Sequence, residues 1–329
     1  MTARMYKSTD ASAPVLTGQV GSLVALLDAV LRVGYGSQTA AGWTKDYTAT
    51  NKATFRNSAS TGTGFYLDVD DSAPSTAKEA RVRGYEVMTA VATGTGGFPT
   101  AAQMTSGLFV RKSNTADSTA RPWYILADDT VFYLFVESGD YTAPTRATAF
   151  AFGDFYSYKA SDAYRCMIMG RDTENNATQQ FDRFALMSDG SSGVMTLTTA
   201  GHYIARGTAA TGGSIAFGIH ADLATQGYNT SYQNVMGQSF TSNISLAYPN
   251  PADNGIYMAP AYIHHNGGLR GYLKGLWCPS QQMPLGHLDT FTGTGAMSAK
   301  SFLCLQMATY NNSNNVTAEC FLETSNTWS

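Results

Sequence analysis

Charge is scarce in this sequence. Of its 329 residues only 14% are Asp, Glu, Lys or Arg, and five are His. The cations are scattered and the net charge is −3, so no basic stripe exists to track a phosphate backbone, and nucleic acid is excluded as a partner. Long apolar runs are missing as well. A spanning helix needs about 18–20 consecutive apolar residues, and the longest candidate, residues 23–33, is short and carries Asp28 and Arg32. The opening MTARMYKSTDASAPVL has neither the apolar centre nor the cleavage site of a secretory leader. These absences predict a soluble chain with no membrane partner. Cysteine is sparse and unpatterned: Cys166, Cys278, Cys304 and Cys320 form no C-x-x-C pair, which predicts reduced, buried thiols. Cys304 and Cys320 flank an expected hairpin and are the one pair placed for a cross-strand bridge.

Motifs that carry chemistry are also missing. The Gly-rich tracts at 93–97 and 211–214 lack the Lys-Ser/Thr of a phosphate-binding loop and precede no helical pattern, so both are read as plain loops. No G-x-S-x-G elbow occurs. The most site-like group is His264 and His265 with His287 and Asp289, since imidazole and carboxylate can ligate a metal or move a proton. Adjacent residues of a strand point to opposite faces, however, so His264 and His265 cannot share one ion without a bulge. The sequence therefore predicts no catalytic residues, no metal and no cofactor.

What is present is glycine (32), tyrosine (19) and phenylalanine (16), arranged in short β-like runs between turn residues. Phe65, Leu67 and Val69 alternate with polar positions, as do Ala80, Val82 and Gly84, which predicts two paired strands with Arg81 and Arg83 facing Asp68 and Asp70. The two apolar runs of 121–136 around Asp128-Asp129-Thr130 predict a hairpin covered on both faces. Further strands are expected at 108–111, 164–169, 184–187, 194–198, 203–206, 256–263, 269–277, 302–307 and 320–323, separated by loops at 171–180, 225–254 and 309–317. One helix is expected, from a Thr17 cap to Val33 with Gly34 as its stop. Its apolar face carries Val20, Leu23, Val24, Leu27, Val30 and Leu31. Before it, residues 1–16 are polar and read as an arm that becomes ordered on a partner.

The fold class expected is mainly β: antiparallel sheets, sandwich or barrel-like, with one N-terminal α-helix. The expected division is an arm and docking helix at 1–34, a β-rich region at 35–175 and a second at 176–329, with a single domain as the alternative. Val20, Leu23, Val24, Leu27 and Leu31 are the expected docking interface.

Several segments resemble a known family when taken together. They are Ala13-Pro14-Val15-Leu16-Thr17-Gly18 ahead of the apolar stretch 23–31, Gly34-Tyr35-Gly36, Ala41-Gly42-Trp43-Thr44 and Thr50-Asn51-Lys52-Ala53. Val82-Arg83-Gly84-Tyr85-Glu86, Ala120-Arg121-Pro122-Trp123, Leu269-Arg270-Gly271 with Leu276-Trp277, and Glu323-Thr324-Ser325-Asn326-Thr327-Trp328 complete the set. The set resembles a family of structural virion proteins of tailed bacteriophages and prophages, over most of the chain. The resemblance implies a particle component assembled in the host cytoplasm, a homo-oligomer whose partners are itself and other virion proteins. It transfers no catalytic residue. A head decoration or neck and collar subunit comes first, a tail or baseplate subunit next. Host surface glycan is a further partner to consider, because Tyr/Asn/Gly-rich stretches such as 226–232 have the composition of adaptable binding surfaces. A glycan-binding module should expose aromatic rings. A polysaccharide hydrolase should set two carboxylates about 5–9.5 Å apart.

Overall fold

The computed structural model describes residues 2–140, 148–172, 174, 201–207, 212–220, 252, 254–265, 268–279, 284–308 and 317–328. The chain is mainly β, with three antiparallel sheets and one short helix near the N-terminus.

The middle sheet is the organising layer. It contains β1 (Arg4–Lys7), β8 (Trp123–Ala127), β9 (Val131–Val136), β10 (Thr148–Asp154), β12 (Cys166–Met169), β13 (His202–Ile204) and β14 (Ile215–Ala216), hydrogen-bonded in that order. Its central strands β8, β9, β10 and β12 are buried at every position, so alternation sends one set of side chains to each covered face. Trp123, Ile125, Phe132, Leu134, Val136, Phe150, Phe152 and Ile168 fill a first core. Tyr124, Leu126, Val131, Tyr133, Phe135, Ala151, Met167 and Met169 fill a second. The hairpin read from 121–136 is thus covered on both faces.

The first core is closed by a sheet in the order β2 (Thr44–Ala49), β3 (Lys52–Arg56), β4 (Tyr66–Asp70), β5 (Glu79–Ala90) and β6 (Thr93–Phe98), with β7 (Leu108–Arg111) also paired to β5. Val69 lies opposite Val82 and Leu67 opposite Gly84, so the expected register of β4 and β5 holds. Asp68 and Asp70 do face Arg83 and Arg81, but the ion pairs expected between them do not form. Asp70 pairs with Lys52 on its other flank at 2.7 Å, and Arg81 reaches Glu174 at 3.1 Å. Arg83 donates to the carbonyls of Met104 and Thr105, while Asp68 accepts from Thr54. Thr93–Phe98, whose first five residues were read as a loop, is strand β6. Its Phe98 ring occupies the space that a Cβ on Gly84 would fill, at 2.4 Å, so a glycine in one strand seats an aromatic in the next.

The second core is closed by the third sheet, ordered β15 (Gly218–His220), β16 (Met258–His265), β17 (Gly268–Pro279), β20 (Thr317–Glu323), β19 (Ser301–Ala308) and β18 (Thr290–Thr292). The short β11 (Tyr156–Ser157) joins β17 as well. Its outer face carries a small third cluster in which Phe302, Cys304 and Phe321 pack with Trp277, Phe291 and Met297. In β19 and β20 Cys304 lies opposite Phe321 and Cys320 opposite Leu305. One register step separates the two thiols and sends them to opposite faces, one into the third cluster and one into the second core. Both are buried, as is Cys166.

The helix is shorter than expected. It runs Ser22–Leu27 and continues as a π-helical stretch over Asp28–Val33, with Gly34 as its stop. Thr17 does not cap it; its hydroxyl accepts from the Gln19 N–H, and the N-terminus is capped from a distance by Asp71, whose Oδ2 accepts the Leu23 N–H at 2.8 Å. The helix C-terminal carbonyls of Val30 and Leu31 take N–H groups from residues 41–43, so the returning chain satisfies the acceptors that a helix end leaves open.

Two expectations about the N-terminal segment need correction. Residues 4–7 pair as β1 with β8, and Tyr6 is buried in the first core, so this part of the arm is ordered within its own chain. Leu23, Leu27 and Leu31 are also buried in the first core with Val24 packed against it, whereas Val20 is 44% exposed. The helix face proposed for docking therefore covers the chain's own sheets. The middle sheet also draws strands from both sides of residue 175, since β12 pairs with β13. The strands expected at 184–187 and 194–198, most of the three expected loops and the stretch 226–232 lie outside the described residues.

Candidate functional site

Among the described residues, polar and aromatic side chains concentrate at several places. The first is an outward-facing row of tyrosines on the third sheet. Tyr262 of β16 lies opposite Tyr272 of β17, and Tyr272 lies opposite Tyr156 of β11, so three rings stand on adjacent strands. The inward face of the same strands holds Ala261, Ile263 and Leu273 in the second core. Tyr156 and Tyr272 stack with centroids 4.6 Å apart at 22°, and Tyr158 stands edge-on to Tyr156 at 5.7 Å and 77°. Tyr156 and Tyr158 are the outermost, about half-exposed. Burial and the neighbouring phenols raise the pKa of Tyr158 and Tyr272, which keeps these hydroxyls protonated as donors and acceptors.

The row is held rigidly from beneath. A Cβ on Gly271 would sit 1.9 Å from the Tyr156 carbonyl oxygen, so only glycine lets β11 approach β17 this closely. The Tyr158 N–H continues the pairing to the Arg270 carbonyl at 3.1 Å. The buried Arg270 guanidinium pairs with Asp162 and donates to Ser157 at 2.7 Å, tying β11 to the loop that follows it. Partial desolvation and planar geometry suit arginine to such a bridging role.

The second place is a polar junction at one end of the middle sheet. Asp154 accepts from Asn57 Nδ2 at 2.8 Å and from the Thr63 N–H and hydroxyl at 2.8 and 2.7 Å, with Arg165 at 3.4 Å. Lys274 reaches across from the third sheet to Asp128 at 3.2 Å and Thr130 at 2.6 Å. The middle sheet, the third sheet and the β3–β4 loop therefore meet here. Burial outweighs these donors and pushes the Asp154 carboxyl up to about 6. At 1% exposure it cannot meet a substrate, so its chemistry is structural.

A pH dependence follows. Because the folded pKa of Asp154 is raised above the usual 3.8, the stabilisation it contributes is complete below about pH 4 and is lost as pH rises through about 6. Carboxyls held low, such as Asp28, Asp70 and Asp140, act in the opposite sense. The difference between native protein and Asp154→Asn isolates the single group. Urea unfolding across pH 4–7 should show the variant gaining on the native protein as pH rises, by at most about 3 kcal/mol. A constant difference over that range would mean that Asp154 titrates normally.

The third place joins Tyr124, Glu137 and His287. The Tyr124 hydroxyl donates to Glu137 Oε1 at 3.0 Å, and His287 Nε2 lies 3.2 Å from the same oxygen. The histidine contact, the largest influence on Glu137, lowers its pKa. His287 is thus engaged by Glu137, and Asp289 accepts the Gly286 N–H at 2.7 Å. His264 and His265 pair with Leu269 and Gly268, and the β16–β17 register shifts between Ile263 and His264; their side chains lie outside the described residues. Among the described residues no group of three or more His, Cys, Asp or Glu gathers as a metal site would. No protein-family model and no curated protein matches the chain.

None of these three places was visible in the sequence as a site. Tyr156 and Tyr272 are far apart in the chain, as are Asn57, Asp154 and Lys274, or Tyr124 and His287. Strand pairing brings the tyrosines together, and packing of the sheets on one another gathers the other two groups. The docking residues named from the sequence fall in the first core, with Val20 at the surface.

Proposed function

We propose that this chain is a non-enzymatic structural subunit of a tailed-bacteriophage particle, exposed on it and repeated by symmetry, in partnership with copies of itself and with other virion proteins. A head decoration or neck and collar position is preferred, a tail or baseplate position next. The sequence resemblance carries the reading, and the layered fold supports it. Both faces of the middle sheet's central strands are buried; Arg111 to Asp140 and Arg171 to Glu79 link that sheet to the first, while Arg111 to Glu79 and Lys112 to Asp71 brace the first sheet itself. A rigid body of this kind suits closed symmetric packing. The acidic residues at the buried positions are engaged by cations or amides, which is the arrangement expected of structural carboxylates rather than of an acid and base facing a cleft.

The test is quantitative mass spectrometry of purified particles from the phage or prophage encoding the chain. The protein is expected in every particle, at about a dozen copies for a neck or baseplate and hundreds for a shell or tail tube. Its absence from intact particles would overturn the proposal. So would polysaccharide or peptidoglycan hydrolysis by the purified protein.

A further inference from the structure

We propose that Tyr156, Tyr158, Tyr262 and Tyr272 form a stacking platform for the pyranose rings of a neutral polysaccharide. The inference goes beyond the particle reading and does not depend on it, because binding is measured on the isolated chain.

Three observations carry it. The first is ring presentation. Tyr156 and Tyr158 are half-exposed at 48% and 51%, stand 5.7 Å apart and are nearly perpendicular, so a face and an edge are offered side by side. Sugar rings carry a face of C–H bonds that packs against an electron-rich aromatic surface, while their hydroxyls require donors and acceptors at the rim. A tyrosine supplies both from one stiff side chain with little rotamer entropy to lose.

The second is size. Two half-exposed tyrosines present roughly 200 Å² of surface, against the approximately 800 Å² that each side of a stable protein interface buries. Exposed Lys159 and Ser161 follow Tyr158, and the other apolar cluster on this face, around Phe302 and Phe321, is already packed against Phe291, Leu285 and Met297. Among the described residues the platform is an aromatic island matched in size to one or two sugar rings.

The third is charge and rigidity. On β17, two residues before Tyr272, the buried Arg270 guanidinium is balanced by Asp162, so this pair adds no net charge beside the rings. The Gly271 approach and the Tyr156/Tyr272 stack fix the rings before any ligand arrives, which reduces the ordering cost of binding.

The test is isothermal titration of the full chain with cellohexaose, mannohexaose and a rhamnose hexasaccharide, with linear sorbitol as the control. Saturable binding of at least one hexasaccharide below about 10 mM is expected, with none to sorbitol. Tyr156→Ala and Tyr158→Ala should each weaken it at least about tenfold with Tm unchanged, and Tyr158→Phe should keep most of the affinity. Failure of all three oligosaccharides to bind, or binding that survives in the Tyr156→Ala/Tyr158→Ala double variant, would overturn the proposal. If no sugar binds and the double variant is lost from particles, the rings are a subunit contact. That outcome also refutes a glycan site but leaves the particle reading standing.

Discussion

Replacing Asp71 with Ala should destabilise the protein by about 3–5 kcal/mol. Asp71 and Lys112 are both fully buried and hydrogen-bonded to each other, with Lys112 also donating to the Gln19 carbonyl. Burial pushes the Asp71 carboxyl up to about 6 and the Lys112 ammonium down, so each ion is held at a desolvation cost that its partner does most to offset. Removing the carboxylate leaves the ammonium buried without a counter-charge, and the Leu23 N–H loses its acceptor at the start of the helix. The double variant Asp71→Leu/Lys112→Met removes both charges together and should recover about half of the loss. A residue of about 1–3 kcal/mol should persist for the unsatisfied Leu23 amide. Urea unfolding of the three proteins at pH 7 gives the comparison. A cost under about 1 kcal/mol for Asp71→Ala would mean that water reaches the pair.

Leu27→Asp and Val20→Asp should differ sharply, although the sequence places both on one apolar face. Leu27 is fully buried in the first core, so an aspartate there places an unpaired charge among Leu23, Leu31 and the middle sheet. The loss should exceed about 4 kcal/mol. Against a total domain stability of about 5–15 kcal/mol, that leaves little or no folded protein. Val20 precedes the helix and is 44% exposed, so Val20→Asp should stay within about 0.5 kcal/mol of the native protein. Circular dichroism melts of the two purified variants decide the matter. If Leu27→Asp folds normally and fails only in particle assembly, the helix face is an intermolecular surface after all.

Much of the fold was legible where side-chain periodicity alone determines pairing. The alternation around Leu67 and Val69 specified the β4–β5 register, and the unbroken apolar runs of β8 and β9 announced a sheet buried on both sides. Other elements were illegible for physical reasons. Strand β1 buries Tyr6 between Met5 and Lys7, too short a signal to separate from a polar arm. Strand β6 is mostly Thr and Gly, residues without a β pattern of their own, and exists because β5 offers it a ladder and Gly84 offers Phe98 a seat. The helix cap was misread because its acceptor comes from Asp71, a tertiary neighbour that no local motif encodes. The tyrosine platform shares this character. Its members become a group only once β11, β16 and β17 lie side by side.

The middle sheet has a consequence for how the molecule comes apart. Each of its central strands feeds alternate side chains into two cores, so β9 gives Phe132 and Leu134 to one and Tyr133 and Phe135 to the other. Peeling away either outer layer bares a continuous aromatic surface with no intermediate resting place, which couples the loss of one core to the loss of the other. The amides of β8, β9 and β10 then have no local opening route to solvent. They exchange their hydrogens only when the whole body opens, and form one slow cooperative block at its centre.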